Sequence, residues 1–502
     1  MNTPASPAQP SEATFSRALA GHNLIPVHRT LIADLDTPLT LFAKVCENSE
    51  HVFLFESMQG GEKWGRYSFI GFDPLITFTS QGETCTIEYS GLPGREPLVQ
   101  NGNPLAILRD LMTSFSVAEP EGLPRFYGGL VGYLGYDMVR FVEKLPDRHT
   151  QQDLPDSALF IPRILLIHDQ LKQRLSIVCT VWNDGQDVDA PAALYAEACA
   201  RIDTVAAQLR GPVPPAFVEQ RPSGVHLFSS NTRQEAFKNM VERAKEYILA
   251  GDIIQVVLSQ RFEAEAHIRP FSLYRALRHV NPSPYLFCLR QNGATLVGSS
   301  PEILVRLEER QIEVRPIAGT RVRGKTPQED LALEKELLAD PKEQAEHLML
   351  VDLGRNDVGR VAALGTVQVH DLLVVERYSH VMHLVSGVSG ELAAGKDQFD
   401  VFAACFPAGT VSGAPKIRAM EIIDELELAR RGPYAGAVGY FGFSGNMDFC
   451  ITLRTCVHTG ATLWIQAGAG IVADSDAQKE YEETINKARA LRRAVELAEQ
   501  GL

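Results

Sequence analysis

No run of 18 apolar residues interrupts this sequence, so no helix is expected to cross a membrane. Basic residues are the minority: 48 Lys and Arg stand against 62 Asp and Glu, for a net charge of −14. That lacks the basic footprint of a general nucleic-acid binder. It leaves room for a small anionic substrate, because a few local Arg and Lys can reverse the field inside one cleft. The eight cysteines (46, 85, 179, 199, 288, 405, 450 and 456) contain no C-x-x-C pair, which argues against a zinc site or a disulfide framework. Several, such as Cys179 and Cys450, sit among apolar neighbours and are expected to be buried free thiols in a reducing compartment. The start MNTPASPAQPSEATFSRA has neither the basic end nor the apolar core of a signal peptide. A cytoplasmic protein is the expectation. No internal repeat or low-complexity segment is visible.

What is present is ordinary globular material: 502 residues, 45% hydrophobic and 22% charged. Residues 1–18 are small, polar and proline-containing and read as a disordered lead. Residues 19–210 mix strand-like runs, VFLFES at 52–57 and RILLIHD at 163–169, with a helical run at 189–209. Residues 211–224 read as a linker, since 210–224 hold four prolines and two glycines. Residues 225–502 form a second domain. There Thr232 and Glu235 suggest a capping box, Gly251 closes the following helix, and IIQVVLSQRF reads as a strand. Strands, helices and glycine-rich turns alternate without a βαβ rhythm, so the expected class is α+β.

Residues 319–326, GTRVRGKT, satisfy the P-loop expression, and LMLVD (348–352) imitates a Walker B strand. The match fails physically. Pro327 pushes Thr326 out of the helical region, while a P-loop needs Lys325 and Thr326 in the first turn of a helix. Asp340, Pro341 and Glu343 make a helix start that places LMLVD inside a helix.

Four segments of the second half suggest one site. Glu343 and Glu346 share a face of the helix beginning at Pro341. Glu480, Glu483, Thr484 and Lys487 share a side of the helix at 474–491, whose start suits Ser475 and Gln478. These glutamates are either solvated and paired with lysines, or they offer Mg2+ the one or two carboxylates per helix that it uses when substrate supplies further oxygens. Gly468, Ala469 and Gly470 precede the second helix as a possible backbone nest for a carboxylate. Arg454 sits in a strand-like run, facing solvent or an anion that its fork would grip. FPAGTVSGAPKIRAM (406–420) is a second tight turn or anion nest, with a helix starting at Pro415. His383, in an apolar run, is a satisfied core residue or a proton carrier. The residues alone point to a metal-assisted site for a small substrate with more than one carboxylate. They name no reaction.

At these segments the sequence resembles the chorismate-utilising enzymes, and among them the anthranilate synthase component I family. The resemblance covers about residues 50–75 and nearly all of 225–500. It rests on GSSPEILVR, RPIAGTRVRGKTPQED, AEHLMLVDLGRND, ERYSHVMHLVSG, CFPAGTVSGAPKIRAMEIIDELE, RRGPYAGAVGYF, FCITLRT, AGAGIVADSD and EYEETINKA. It implies antiparallel sheets flanked by helices. It implies Mg2+ on Glu346 and Glu483, with Glu343 and Glu480 close behind. Chorismate carboxylates would meet Arg454, Tyr434, Lys487, Gly468, Ala469 and Gly470, and Gly319 with Thr320. Thr410 would place the pyruvyl arm, Glu302 would protonate the departing C4 hydroxyl, and His383 would serve the loss of pyruvate. Two positions set the chain apart from sister enzymes. Gln255 stands where isochorismate and salicylate synthases carry a water-activating lysine, and Ala318 stands where aminodeoxychorismate synthases typically carry another. Aminodeoxychorismate synthase component I and a catalytically inactive scaffold remain the alternatives. No cysteine sits in the turn a glutaminase nucleophile needs, so ammonia is expected from a separate glutamine amidotransferase subunit, component II, in a heterotetramer of two large and two small subunits. LFES and NPSPYLF resemble the family's feedback element. This assigns Glu56, Ser57, Pro284, Tyr285 and Leu286 to an L-tryptophan site, with Glu56 available for the ligand's amino group.

Overall fold

The computed structural model describes residues 7–46, 49–58, 65–90, 94–184, 190–218, 225–378 and 381–501. They form an α+β fold in which long antiparallel strands curl through the molecule and helices lie outside them. The two halves of the chain share hydrogen-bonded sheet. Val52–Glu56 pairs with Tyr285–Gln291, Leu286 lying opposite Glu56, and Gly129–Leu134 pairs with Ala437–Gly442. Tyr285–Gln291 continues through a hairpin into Ala294–Ser300, two residues before Glu302.

The strand Gln255–Glu265 pairs along its length with Thr462–Ile471. Against these strands pack the helices Ala477–Glu499 and Gln234–Leu249. Phe237, Met240, Val241 and Ala244 recur at helical spacing on the buried face of Gln234–Leu249. Helix Ala477–Glu499 likewise buries Thr484, Ala488, Leu491 and Val495.

Local details depart from the sequence reading. Glu12–Ala18, expected to be disordered, is a helix capped by Ser11 that buries Phe15 completely. Residues 1–6 lie outside the described residues. Within the expected linker, Pro215–Val218 forms one helical turn, while 219–224 lie outside the described residues. The box at Thr232 does not form. The helix begins one residue later than such a cap requires, with Arg233 at its N-cap and no side-chain cap, and the Thr232 hydroxyl bonds Asn231 Oδ1 instead, 3.0 Å away. The final helix is capped by Asp476, which accepts from Lys479 N at 2.9 Å. Ser475 turns back to accept Val472 N at 3.0 Å, so the Ser475–Gln478 start is not used. Among the described residues every cysteine is free, and all but Cys199 are buried. No helix among them is long and apolar enough to cross a membrane.

Candidate active site

Glycine-319 and Thr320 lie in the strand Ile317–Val322, and Thr326 is extended (φ −131°, ψ 158°) as the N-cap of Pro327–Ala339. LMLVD lies inside the helix Pro341–Gly359. The phosphate-loop imitation is therefore not a loop. That last helix starts where Asp340 accepts from Lys342 N and Glu343 N at 3.0 and 3.3 Å.

The helices Pro341–Gly359 and Ala477–Glu499 bring their glutamates into one acidic neighbourhood. Their starts are tied by Lys342 Nζ and Asp474 Oδ2 at 3.0 Å. Burial raises the Glu346 carboxyl above its usual range, and the charges of Glu343 and Glu483 raise it further. Burial raises Glu480 as well, with Glu483 adding to it. Lys487 Nζ lies 2.7 Å from Glu483 Oε1 and donates to Gly468 O at 3.1 Å. Glu343 is held by Arg321 at 3.1 Å. Among the described residues no three His, Cys, Asp or Glu side chains gather closely enough to hold a metal ion between them. Mg2+ does not need that, because it takes one or two carboxylates and completes its octahedron with water and substrate oxygens. Clustered hard oxygen donors whose like charges repel one another suit such an ion, because a cation bound among them would relieve that repulsion.

Gly468, Ala469 and Gly470 make no nest. They are strand residues opposite Ser259, Leu258 and Val257. Their smallness opens space instead. A Cβ on Gly470 would stand 2.5 Å from Gln255 Nε2, and one on Gly468 would stand 2.9 Å from the Tyr434 hydroxyl. Burial pushes that hydroxyl up to about 12, against the pull of the Gly468 N–H. Arg454 is not in a strand either. It lies between Met447–Ile451 and Thr455–His458 with φ +47°. Burial lowers its guanidinium below the ordinary arginine value, opposed by the charge of Glu302. No ion-pair partner meets it among the described residues, which fits a group waiting for an anionic ligand.

Glu302, just ahead of the strand Ile303–Glu308, is 7% exposed. Burial pushes its carboxyl up to about 8, while the Thr410 hydroxyl, Arg454 and Lys487 pull it down. Thr410 lies in the single 3-10 turn Gly409–Val411. Its buried Oγ1 makes no regular hydrogen bond among the described residues. The segment is thus a tight turn followed by the short strand Gly413–Ala414 and the helix Lys416–Leu426.

His383 lies in Val381–Glu391, opposite Thr320 on one side and Glu376 on the other. Its Nδ1–H donates to Gly319 O at 2.9 Å, with the Thr320 hydroxyl 3.1 Å away. The Nε2 lone pair is therefore the free face of the ring. Burial lowers His383 below the usual histidine range. Gly319 sits at a bulge with φ +65°, where a side chain would meet Glu343 Oε2 at 3.2 Å.

A separate pocket is lined by Phe55, Ser57, Tyr67, Phe69, Pro284, Tyr285, Tyr440 and Asp448, with Glu56 and Leu286 also on its border. The five residues of the expected inhibitor site therefore border one cavity. Glu56 is already held from the helix Pro270–Val280. Arg278 takes both of its oxygens, at 3.2 and 3.3 Å, and the Tyr274 hydroxyl donates to it as well. A second acid lines this pocket, Asp448, which accepts from Tyr285 at 2.8 Å and from Arg306 at 2.6 Å. Sequence reasoning passed over it. Its only signal is an aspartate in a strand of alternating burial, MDFCI. The paired residues Glu427 and Arg431 were also missed; in a stretch as charged as DELELARR, opposite charges four residues apart do not single them out.

Glutamates from two helices, a buried carboxyl at Glu302 and an arginine without an ion-pair partner among the described residues suit a small anionic ligand. The chain belongs to the family of chorismate binding enzymes, whose model matches residues 50–493. It is 50% identical to the anthranilate synthase component 1 of Cereibacter sphaeroides over 95% of each chain. It is 47% identical to that of Aquifex aeolicus, over 95% of this chain and 96% of the relative. The crystal structure of anthranilate synthase component I from Streptococcus pneumoniae TIGR4 is similar, with TM-score 0.74 and 36% identity over 87% of this chain and 95% of that one.

Proposed function

We propose that the chain is the chorismate-aminating large subunit of an anthranilate synthase, acting in the cytoplasm at the head of tryptophan synthesis. The observation that carries this reading is the carboxyl of Glu302, held protonated at neutral pH beside the unpaired Arg454. Ammonia adds at C2 of the chorismate ring while hydroxide leaves C4. Hydroxide departs poorly, so a proton donor is needed there, and a carboxyl titrating near 8 still carries its proton at pH 7. Arg454, Tyr434 and Lys487 hold the substrate's carboxylates over the floor of Gly468–Gly470, with Gly319 and Thr320 at its edge. Thr410 places the enolpyruvyl arm. His383, neutral and with Nε2 unprotonated, takes the ring proton as pyruvate is eliminated and the ring becomes aromatic.

Glu346 and Glu483 would hold Mg2+, with Glu343 and Glu480 behind them. Bound there, the ion would neutralise the ring carboxylate and withdraw electrons from the ring. Ammonia comes from a glutaminase subunit, component II, in a heterotetramer of two large and two small subunits. L-tryptophan inhibits by occupying the pocket of Ser57, Pro284, Tyr285 and Leu286, where Glu56 and Asp448 are the acids that could meet its amino group. Gln255 and Ala318 favour this reading over aminodeoxychorismate synthase.

The test is anthranilate fluorescence from the purified chain with chorismate and Mg2+. Emission is expected with excess ammonium near pH 8, where some free ammonia is present and Glu302 keeps part of its proton, and none with glutamine until a glutaminase subunit is added. A dark sample with ammonium overturns the reading.

A further inference from the structure

Arg431 is among the largest fully buried side chains of the described residues. Its guanidinium donates through Nη1 to Val411 O at 2.6 Å and through Nη2 to Val257 O at 2.7 Å. Nε and Nη2 grip the two oxygens of Glu427 at 3.0 and 2.7 Å. Glu427 in turn accepts from Ser259 N and Oγ at 2.8 and 2.9 Å, and Gln466 donates to the same Ser259 Oγ at 2.9 Å. The guanidinium also lies over the rings of Tyr136 and Tyr434, 4.7 and 5.7 Å from their centres. One planar fork thus joins the turn that carries Thr410, the strand facing Gly468–Gly470, and Tyr434.

A buried ion pair is poor evidence for stability, because well-packed apolar residues of like volume often serve as well or better. What a fully bonded guanidinium supplies is geometry: fixed donors in one plane that an ammonium cannot reproduce. Val411 and Val257 offer their carbonyls from segments that pair only briefly, through Gln255–Val256 and Gly413–Ala414. The buried Thr410 hydroxyl has no regular partner of its own, so its aim depends on how the turn is anchored one residue later.

We propose that Arg431 is a positioning residue of the active site, anchoring the Thr410 turn against the Val257 strand so that the Thr410 hydroxyl stays aimed at Glu302. The inference rests on the role given to Thr410 under the proposed function. Nothing in it requires Arg431 to touch substrate.

The test is a double-mutant cycle on the full chain, with ammonium as nitrogen source and saturating chorismate and Mg2+. Thr410→Val and Arg431→Lys are each expected to lower kcat about tenfold, and the double variant to fall no more than about twofold below the worse single one. Arg431→Lys is expected to leave the chorismate KM within about threefold of the parent, since no ligand contact is removed. Arg431→Lys at parental kcat, or losses that multiply to about a hundredfold, would overturn the inference. Thr410→Val at parental kcat overturns the reading of Thr410, and the inference with it. Should Arg431→Lys fail to melt cooperatively, Glu427→Gln takes its place in the cycle, keeping the guanidinium but removing its charged anchor, with the same outcomes deciding.

Discussion

The side-chain amide of Gln255 donates to Glu346 Oε1 across 3.3 Å. The bond crosses from the first residue of a central strand to the helix that carries the acidic cluster. It draws the Glu346 carboxyl down while burial and Glu343 raise it, so it fixes the orientation and the charge of a proposed metal ligand together.

Replacing Gln255 with Leu should therefore weaken Mg2+ activation by about tenfold or more, the usual effect of losing an outer hydrogen bond to a metal ligand. Calorimetric titration with Mg2+ should show the same loss without substrate. Unchanged affinity would mean that Glu346 is not a ligand.

Glu302→Gln should fold and bind chorismate but lose about 10²–10⁴ of turnover, the range of a positioned general acid. The same change has a stability signature. Burial pushes the native carboxyl up to about 8 from the ordinary 4.5 of a glutamate, so between those values the native state binds the proton that the unfolded chain has released. Stability from this group is full below about pH 4.5 and declines as pH rises to 8. Thermal melts should show Glu302→Gln gaining on the parent from pH 5 to pH 8; a constant difference would deny the raised titration.

His383 should be neutral at pH 7 as the Nδ1–H tautomer, because burial lowers its titration and Gly319 O accepts from Nδ1. Nitrogen NMR of labelled histidine reads both points, and a protonated ring at that pH would rule out the role of base. His383→Asn should retain the fold and lose turnover.

Ser57→Arg should leave turnover within about twofold and abolish tryptophan inhibition, since a long cation would fill a pocket lined by Phe55, Tyr285 and Tyr440. Inhibition curves with and without tryptophan decide it. Persistent inhibition would place the inhibitor elsewhere.

Local rules made the helix at Pro341 legible, because Asp340, Pro341 and Glu343 are start signals that act within one turn of chain. The failure of the P-loop match was legible for the same reason, through the proline after Thr326. Glycines misled at 468–470: three small residues before a helix read as a turn, yet strand pairing with residues 257–259 overrode local freedom. Arg454 read as a strand residue because strands flank it on both sides, while the chain leaves the strand over 452–454 and turns at Arg454 with φ +47°. The partners of Glu56 were not legible, because Arg278 and Tyr274 reach it from a helix more than 200 positions away in the chain. Arg431 was hidden because its partners are mostly backbone carbonyls, which carry no sequence signature.

The pairing of Gly129–Leu134 with Ala437–Gly442 has a consequence for synthesis. During translation the earlier strand must wait for some three hundred further residues before its neighbour exists. A truncated product ending before residue 437 would keep an uncovered edge of wholly buried-type residues, a ready template for aggregation. Such fragments should enter inclusion bodies or be degraded rather than persist as a folded first half, and splitting the polypeptide at the proline-rich segment should succeed only when both pieces are made together.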